Sequence, residues 1–161
     1  MQPVTAYVGI GANLGDARDT VKRAIAKLSD LPTTRLCAQS SLFRTAPVDA
    51  DGDDYVNAVA CIETALDAHA LLHALQAIEA ESGRERPYVN APRTLDLDIL
   101  LYGDQQIATA TLAIPHPRLT QRAFALIPLL QIDPLIAIPG KGPAHQFVSD
   151  VAGQAISRIE A

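Results

Sequence analysis

The distribution of apolar residues along the chain predicts strands and helices in the order β-α-β-β-α-β. Three runs have the length and composition of strands: residues 5–10, roughly 35–43, and 55–63. Two intervening segments carry apolar residues at helical spacing: Val21, Ala24, Ile25 and Leu28 in the first, and Leu71, Leu75 and Ile78 in the second. The second helix is expected to begin near Asp67 and to end at Gly83.

A fourth strand, within residues 95–101, carries two acidic residues. Side chains alternate faces along a strand, so Asp96 and Asp98 point one way and Leu95, Leu97 and Ile99 the other. Two neighbouring carboxylates repel each other unless a cation or a proton lies between them. The pattern favours a divalent-metal site, with Mg²⁺ as the expected ion. An exposed edge strand with both acids solvated is the alternative.

This order of elements predicts a ferredoxin-like α+β sandwich with an antiparallel sheet and helices packed on it. A short strand-like stretch, a turn at residues 114–117 and a third helix from about Thr120 should follow, and then a C-terminal extension with an amphipathic segment at residues 147–159. We find no repeat or low-complexity linker and therefore expect one domain over residues 1–161.

The composition is that of a globular protein. Hydrophobic residues make up 48% and charged residues 19%, with a formal net charge of −5, which argues against disorder and against general nucleic-acid binding. A local positive patch can nevertheless form from five arginines: Arg84, Arg86, Arg93, Arg118 and Arg122. Cys37 and Cys61 lack zinc-like spacing, and we see no signal peptide or membrane span. We therefore expect a soluble cytoplasmic protein with no membrane partner.

The glycines between Gly9 and Gly15 predict a tight strand-to-helix turn. A phosphate-binding loop is the less favoured interpretation, because the Gly-Lys-Ser/Thr ending of a P-loop is missing. In such a turn Asn13 is a candidate to hydrogen-bond a ligand.

Several polar and aromatic residues are candidates for ligand binding. Tyr55 and Asn57 share a strand face, where the ring can stack on a flat ligand and the amide can donate and accept. Phe124 can supply the opposite ring. A partly buried strand end for Tyr55 and a core position at the start of a helix for Phe124 are equally compatible with the sequence. Three arginines precede the acidic strand and suit either salt bridges or a polyphosphate: Arg84, Arg86 and Arg93.

Six motifs, in this order, resemble the 6-hydroxymethyl-7,8-dihydropterin pyrophosphokinase family. They are Gly-Ile-Gly-Ala-Asn-Leu-Gly-Asp at 9–16, Ser-Ser-Leu-Phe-Arg-Thr-Ala-Pro at 40–47, Tyr-Val-Asn-Ala at 55–58, Pro-Arg-Thr-Leu-Asp-Leu-Asp-Ile at 92–99, Pro-His-Pro-Arg at 115–118 and Arg-Ala-Phe at 122–124. The resemblance implies transfer of pyrophosphate from ATP to the pterin hydroxymethyl group, with AMP and the pterin diphosphate as products.

The resemblance also implies roles for individual residues. Asp96 and Asp98 would hold two Mg²⁺ ions and, with Arg84 and Arg93, form the catalytic set. ATP would contact Gln76, Glu79, Arg84, Arg86, Arg93, Ile99, His116 and Arg122. The pterin would contact Thr45, Ala46, Val48, Tyr55, Asn57 and Phe124. No residue is assigned as the general base; Asp98 is a weak candidate. We expect a monomer whose partners are these two small substrates, with no nucleic acid.

The chain departs from the family pattern at two places. Asn90 and Ala91 replace the Trp-Gly pair of well-known members, so an aromatic lid is either missing or replaced by Tyr88. Ala46 replaces a proline that often precedes Pro47. Two other classes of function remain open at this point: a two-metal phosphoesterase that activates water, and a ligand-binding regulatory module without turnover.

Overall fold

The computed structural model describes residues 3–13, 16–46, 54–83 and 95–159. The strands are β1 (Val4–Ala12), β2 (Thr34–Gln39), β3 (Phe43–Thr45), β4 (Tyr55–Thr64), β5 (Asp96–Tyr102), β6 (Ile107–Ala108), β7 (Ala113–Ile114), β8 (Ala137–Ile138), β9 (Gly142–Pro143) and β10 (Ile156–Arg158). The helices are α1 (Ala17–Ser29), α2 (Ala68–Gly83) and α3 (Ala123–Ile132), with 3₁₀ segments at Leu119–Gln121 and Ala144–Val151.

The main sheet is antiparallel, and its strands lie in the order β10-β3-β4-β1-β5, with β2 also paired to β4. If β2 and β3 are counted as one strand, the order along the chain is the expected β-α-β-β-α-β. The predicted ferredoxin-like α+β fold is therefore confirmed. The C-terminal extension is part of it, because β10 pairs with β3 at the edge of the sheet.

The predicted strand at residues 35–43 is wrong in one respect: it is interrupted. The interruption lies at Ser40, whose hydroxyl accepts a hydrogen bond from the Val59 N–H and donates one to the Ser41 carbonyl. A serine side chain that bonds nearby backbone groups competes with regular strand pairing. Two shorter strands, β2 and β3, therefore lie consecutively along the same edge of β4.

The prediction of a glycine-rich turn is also corrected, at Gly9 and Gly11. Gly9 and Gly11 lie inside β1, which extends to Ala12, and both are paired with β4 and β5. Neither has a positive φ, unlike Gly103. Their absence of a side chain, rather than backbone freedom, is therefore what matters at these positions.

The helices begin and end close to where the sequence predicts. Asp16 precedes α1 and its side chain accepts a hydrogen bond from the Asp19 N–H, while Asp67 does the same for Ala70 ahead of α2. The third helix begins at Ala123 rather than near Thr120, because the preceding turn is a separate 3₁₀ segment.

Two apolar cores lie on opposite faces of the sheet. The first packs α1 and α2 against the sheet and includes Leu28, Leu71, Leu75 and Ile99. The second packs α3 and the C-terminal extension against the other face around Val59, Leu100, Leu126 and Leu129. In the part of the chain that the structure describes, no helix is long and apolar enough to cross a membrane.

Candidate active site

A cavity of about 210 Å³ opens on the face of the sheet that α3 covers in part. Four strands, the segment after β7 and the start of α3 contribute its lining. These residues are Gly9, Ile10, Gly11, Thr45, Ala46, Tyr55, Asn57, Asp96, Asp98, Leu100, His116, Arg118, Arg122, Phe124 and Ala125. The cavity thus brings together nine of the residues predicted for substrate or metal binding.

The floor of the cavity is built from two rows of paired residues across β4, β1 and β5. Gly11 is paired with Asn57 on one side and with Asp96 on the other. Gly9 is likewise paired with Val59 and Asp98. Residues paired across antiparallel strands share a face of the sheet, so each row places an aspartate beside a glycine.

The alternation predicted for the acidic strand is confirmed. Asp98 is exposed and Asp96 half-buried, and both line the cavity. Leu95, Leu97 and Ile99 are at most 4% exposed and belong to the first core on the other face. The fold therefore directs both carboxylates into the cavity.

One wall of the cavity is a buried polar pair. The Asn57 Nδ2 donates a hydrogen bond of 2.6 Å to the Thr45 Oγ1, and both residues are at most 5% exposed. Tyr55 lies two residues before Asn57 on the same strand and is paired with Thr45. A fixed amide next to an aromatic ring is an arrangement that suits a flat heterocycle with hydrogen-bonding edges.

The opposite wall comes from the start of α3. The Arg122 guanidinium carbon lies 5.4 Å from the centroid of the Phe124 ring, within the range of a cation–π contact. Gln154 of the C-terminal extension fixes this end of the helix, since its Oε1 accepts from the Ala123 N–H and its Nε2 donates to the Gln121 carbonyl. The extension therefore positions the residues that line this wall.

His116 is held beside the aspartates in a defined orientation. Its backbone N–H donates to the Leu100 carbonyl, and its ring Nδ1 accepts from the Arg118 backbone N–H. Burial lowers the pKa of His116 below its ordinary value of 6.5; Asp98 opposes this shift, while Arg122 and Arg118 add to it. The favoured form near neutral pH is therefore a neutral imidazole with its proton on Nε2.

Three predicted ATP contacts do not line the cavity. Gln76 is exposed on α2, and the Ile99 side chain is buried in the first core, so only its backbone is available to a ligand on the cavity face. The Glu79 Oε2 accepts a hydrogen bond of 2.7 Å from the Leu97 N–H, between the two aspartates. Arg84, Arg86, Arg93 and Val48, together with Tyr88, Asn90 and Ala91, lie outside the described residues.

Six lining residues were missed by the sequence analysis: Gly9, Ile10, Gly11, Leu100, Arg118 and Ala125. Arg118 could be assigned only to a possible positive patch, and the structure brings it next to His116. The glycines could have been found only from the pairing of β1 with β4 and β5, which the sequence does not specify.

The aspartates fit Mg²⁺ by the chemistry of their oxygens. Among the described residues, no group of three or more His, Cys, Asp or Glu side chains is arranged to hold a metal ion. Mg²⁺ is commonly held by one or two carboxylates together with substrate phosphates and waters, so two aspartates in an open cavity are a suitable protein contribution.

Comparisons with known proteins show which family this chain resembles over most of its length. The model of the 7,8-dihydro-6-hydroxymethylpterin-pyrophosphokinase (HPPK) family matches residues 7–134. A Pseudomonas aeruginosa protein named 2-amino-4-hydroxy-6-hydroxymethyldihydropteridine pyrophosphokinase is 44% identical over 154 residues, 95% of each chain. The Haemophilus influenzae protein of the same name is 38% identical over 97% of this chain and 98% of its own length.

A solved structure supports the fold. A wild-type HPPK-DHPS chain from Plasmodium falciparum superposes with a TM-score of 0.75 at 13% identity, over 99% of this chain and 45% of that one. This chain thus spans less than half of the solved chain, and the likeness concerns the fold alone.

Proposed function

Because the chain belongs to the 7,8-dihydro-6-hydroxymethylpterin-pyrophosphokinase family, we propose that this cavity is where its two substrates meet. The protein transfers pyrophosphate from ATP to 6-hydroxymethyl-7,8-dihydropterin and releases AMP and the pterin diphosphate, a step of folate biosynthesis. The observation that carries the assignment of the site is the pair of rows across β4, β1 and β5. These rows bring the Asn57 amide and both aspartates into one cavity.

The pterin binds between the two aromatic residues. Tyr55 from β4 and Phe124 from α3 stack on its faces, while Asn57 and Thr45 hydrogen-bond its edge. Ala46, which lines the cavity, adds a further contact, and we assign Val48 to the pterin as well. The existing Asn57–Thr45 hydrogen bond supports this role, because a fixed amide selects a ligand edge without losing further side-chain freedom.

The phosphates of ATP bind at the acidic end of the cavity. Asp96 and Asp98 hold two Mg²⁺ ions, which supply charge neutralisation and orientation for the phosphate oxygens. Arg122 and His116 extend this region, the latter as a hydrogen-bond donor through Nε2. We also assign to the nucleotide Gln76, Glu79 and the backbone of Ile99, which do not line the cavity, and the arginines Arg84, Arg86 and Arg93.

The chemistry needs alignment and charge neutralisation more than a strong base. The pterin hydroxyl oxygen attacks the β-phosphorus in line, a new P–O bond forms, and the bond from the β-phosphorus to the α,β-bridging oxygen breaks to release AMP. Arg84 and Arg93 are expected to stabilise charge during this transfer. The hydroxyl proton leaves to solvent or to Asp98; neutral His116 is oriented to donate rather than to accept on Nε2.

The activity is tested by incubating the protein with ATP, Mg²⁺ and the reduced hydroxymethylpterin, and by omitting each in turn. We expect AMP only when all three are present. Release of inorganic phosphate without pterin would instead indicate a phosphoesterase. Binding of both ligands without any product would indicate a regulatory module.

The metal assignment is tested by Asp96→Ala and Asp98→Ala. Loss of a metal-binding carboxylate removes several kcal/mol of transition-state stabilisation, so turnover should fall by roughly a thousandfold or more. The thermal transition should remain, because both side chains face the cavity. Near wild-type rates at saturating Mg²⁺ would remove the aspartates from the metal site.

Three further properties are part of the proposal. The chain forms a single domain, acts as a monomer and works in the cytoplasm. Sedimentation of the purified protein with and without its substrates checks the second of these, and a dimer in either condition would contradict it.

A further inference from the structure

Gly11 has no backbone reason to be glycine. Its φ lies outside the left-handed region, and it is paired on both sides within the sheet. The same is true of Gly9, two residues earlier on the same face. The two positions therefore differ only in what a side chain there would meet.

A side chain at position 11 would collide with the predicted pterin contact. A Cβ on Gly11 would lie 2.8 Å from the Asn57 Oδ1, closer than a carbon and an oxygen approach without displacement. Asn57 has little room to yield, since it is 5% exposed and its Nδ2 is bonded to the Thr45 Oγ1. A Cβ on Gly9 would lie 3.4 Å from the nearest atom of Leu100, an ordinary contact.

We propose that Gly11 is a positioning residue for pterin recognition, acting through Asn57. Its missing side chain leaves the space in which the Asn57 Oδ1 lies while the amide nitrogen is bonded to Thr45. An acceptor in that place is complementary to the N–H donors on the 2-amino-4-oxo edge of the pterin. This inference rests on the proposed pterin site and adds to it a residue that has no side chain to contact the ligand.

The test compares Gly11→Ala with Gly9→Ala, which make the same change on the same face of the same strand. We expect Gly11→Ala to raise the pterin Kd by about tenfold or more, the effect of a lost or misplaced hydrogen bond. In the same variant, the ATP Kd should change by less than about twofold. Gly9 lines the same cavity, but a Cβ there would meet only Leu100, so Gly9→Ala should raise the pterin Kd by less than Gly11→Ala does. Equal pterin affinities of the two variants would overturn the proposal.

A second pair of variants keeps the test decisive if Gly11→Ala alone does not fold. Asn57→Ala removes the atom that would be displaced, so adding Gly11→Ala to it should produce no further loss of pterin affinity. A further tenfold loss in the double variant would mean that Gly11 acts on the ligand by another route. An unchanged pterin Kd in Asn57→Ala itself would also overturn the inference.

The controls separate this inference from the function on which it rests. If the wild-type protein forms AMP with the pterin but Gly11→Ala binds the pterin normally, the function stands and the role of Gly11 fails. If the wild-type protein binds no pterin, the proposed function fails first.

Discussion

The two faces of the central sheet are built from the same strands and serve different purposes. On the face toward α1 and α2, the inward residues of β1, β4 and β5 are apolar apart from Thr64, and they include Val8, Ala60 and Ile99. On the face toward α3, the same strands change character along their length. Val59 and Leu100 pack beneath the helix, while the neighbouring Asn57 and Asp98 line the cavity.

The difference shows how a small fold accommodates a polar site. The first face supplies a continuous core for two helices. The second face is covered by a single helix and the C-terminal extension, which leaves part of it open. Polar side chains are tolerated on that part because they face a cavity rather than a packed core. Substitutions on the two faces should therefore affect different measurements.

The largest effect on stability should come from the first face. Leu75 is fully buried between α2 and the sheet, so Leu75→Ala should lower the free energy of unfolding by about 2–5 kcal/mol. Urea denaturation measures this change. Leu135→Ala is the matched control, since Leu135 is 84% exposed and its truncation should cost less than about 0.5 kcal/mol. Similar losses in both variants would contradict the assignment of this core.

On the cavity face, Tyr55→Ala should weaken binding rather than stability. Removal of a ring that stacks on a flat heterocycle typically costs about 1–3 kcal/mol, so the pterin Kd should rise roughly tenfold or more. Titration calorimetry with each substrate measures the affinity, and the ATP Kd should stay near the wild-type value. Tyr55→Phe keeps the ring and should bind pterin normally. An unaffected pterin Kd in Tyr55→Ala would count against stacking.

Variants at Glu79 test whether stability and ATP binding depend on separate faces of the sheet. It lies on α2 and accepts a hydrogen bond from the Leu97 N–H, in the strand that carries both aspartates. Glu79→Ala leaves that N–H without its acceptor and should cost about 1–3 kcal/mol of stability, whereas Glu79→Gln keeps an acceptor oxygen and should cost less. Denaturation and ATP titration are measured on both variants. A weaker ATP affinity with unchanged stability would indicate a contact with the nucleotide alone.

The smallest expected effect is on stability at alkaline pH, and it involves Cys61 on the α3 face of the sheet. Burial raises the pKa of the Cys61 thiol above its ordinary value of 9.0, and burial also raises the pKa of the Tyr7 hydroxyl beside it. Above pH 9 the Cys61 thiol ionises in the unfolded protein but keeps its proton in the folded protein. The stability that this thiol contributes below pH 9 is therefore lost as the pH rises through its pKa in the folded protein. Cys61→Ala should show a shallower decline in unfolding free energy between pH 8 and 10. Parallel declines in the two proteins would show that Cys61 contributes nothing to it.

The helices and the direction of the aspartates were predictable because local rules govern them. Helical spacing and the capping residues Asp16 and Asp67 are encoded within a few neighbouring positions. Alternation along a strand likewise required only that residues 96–102 be extended. The family motifs then placed most of the cavity residues in one site without any knowledge of the pairing.

Where prediction failed, the deciding contact was distant in sequence. The break between β2 and β3 depends on the bonds of Ser40 to Val59, and the role of Ser40 is not visible from its own neighbours. The resemblance assigned Glu79 and Ile99 to the nucleotide, and only the structure shows that Glu79 accepts a hydrogen bond from a strand backbone and that the Ile99 side chain is buried. A motif names a position but does not specify what its side chain contacts.

The sequence by itself therefore determined the order of the elements, the shared face of Asp96 and Asp98, and the family. Only the tertiary structure decided which residues lie beside the two aspartates. The register of β1 against β4 and β5 places Gly11 between Asn57 and Asp96, and Gly9 between Val59 and Asp98. That register is set by the packing of both faces at once, and a shift of one residue would move every side chain to the opposite face.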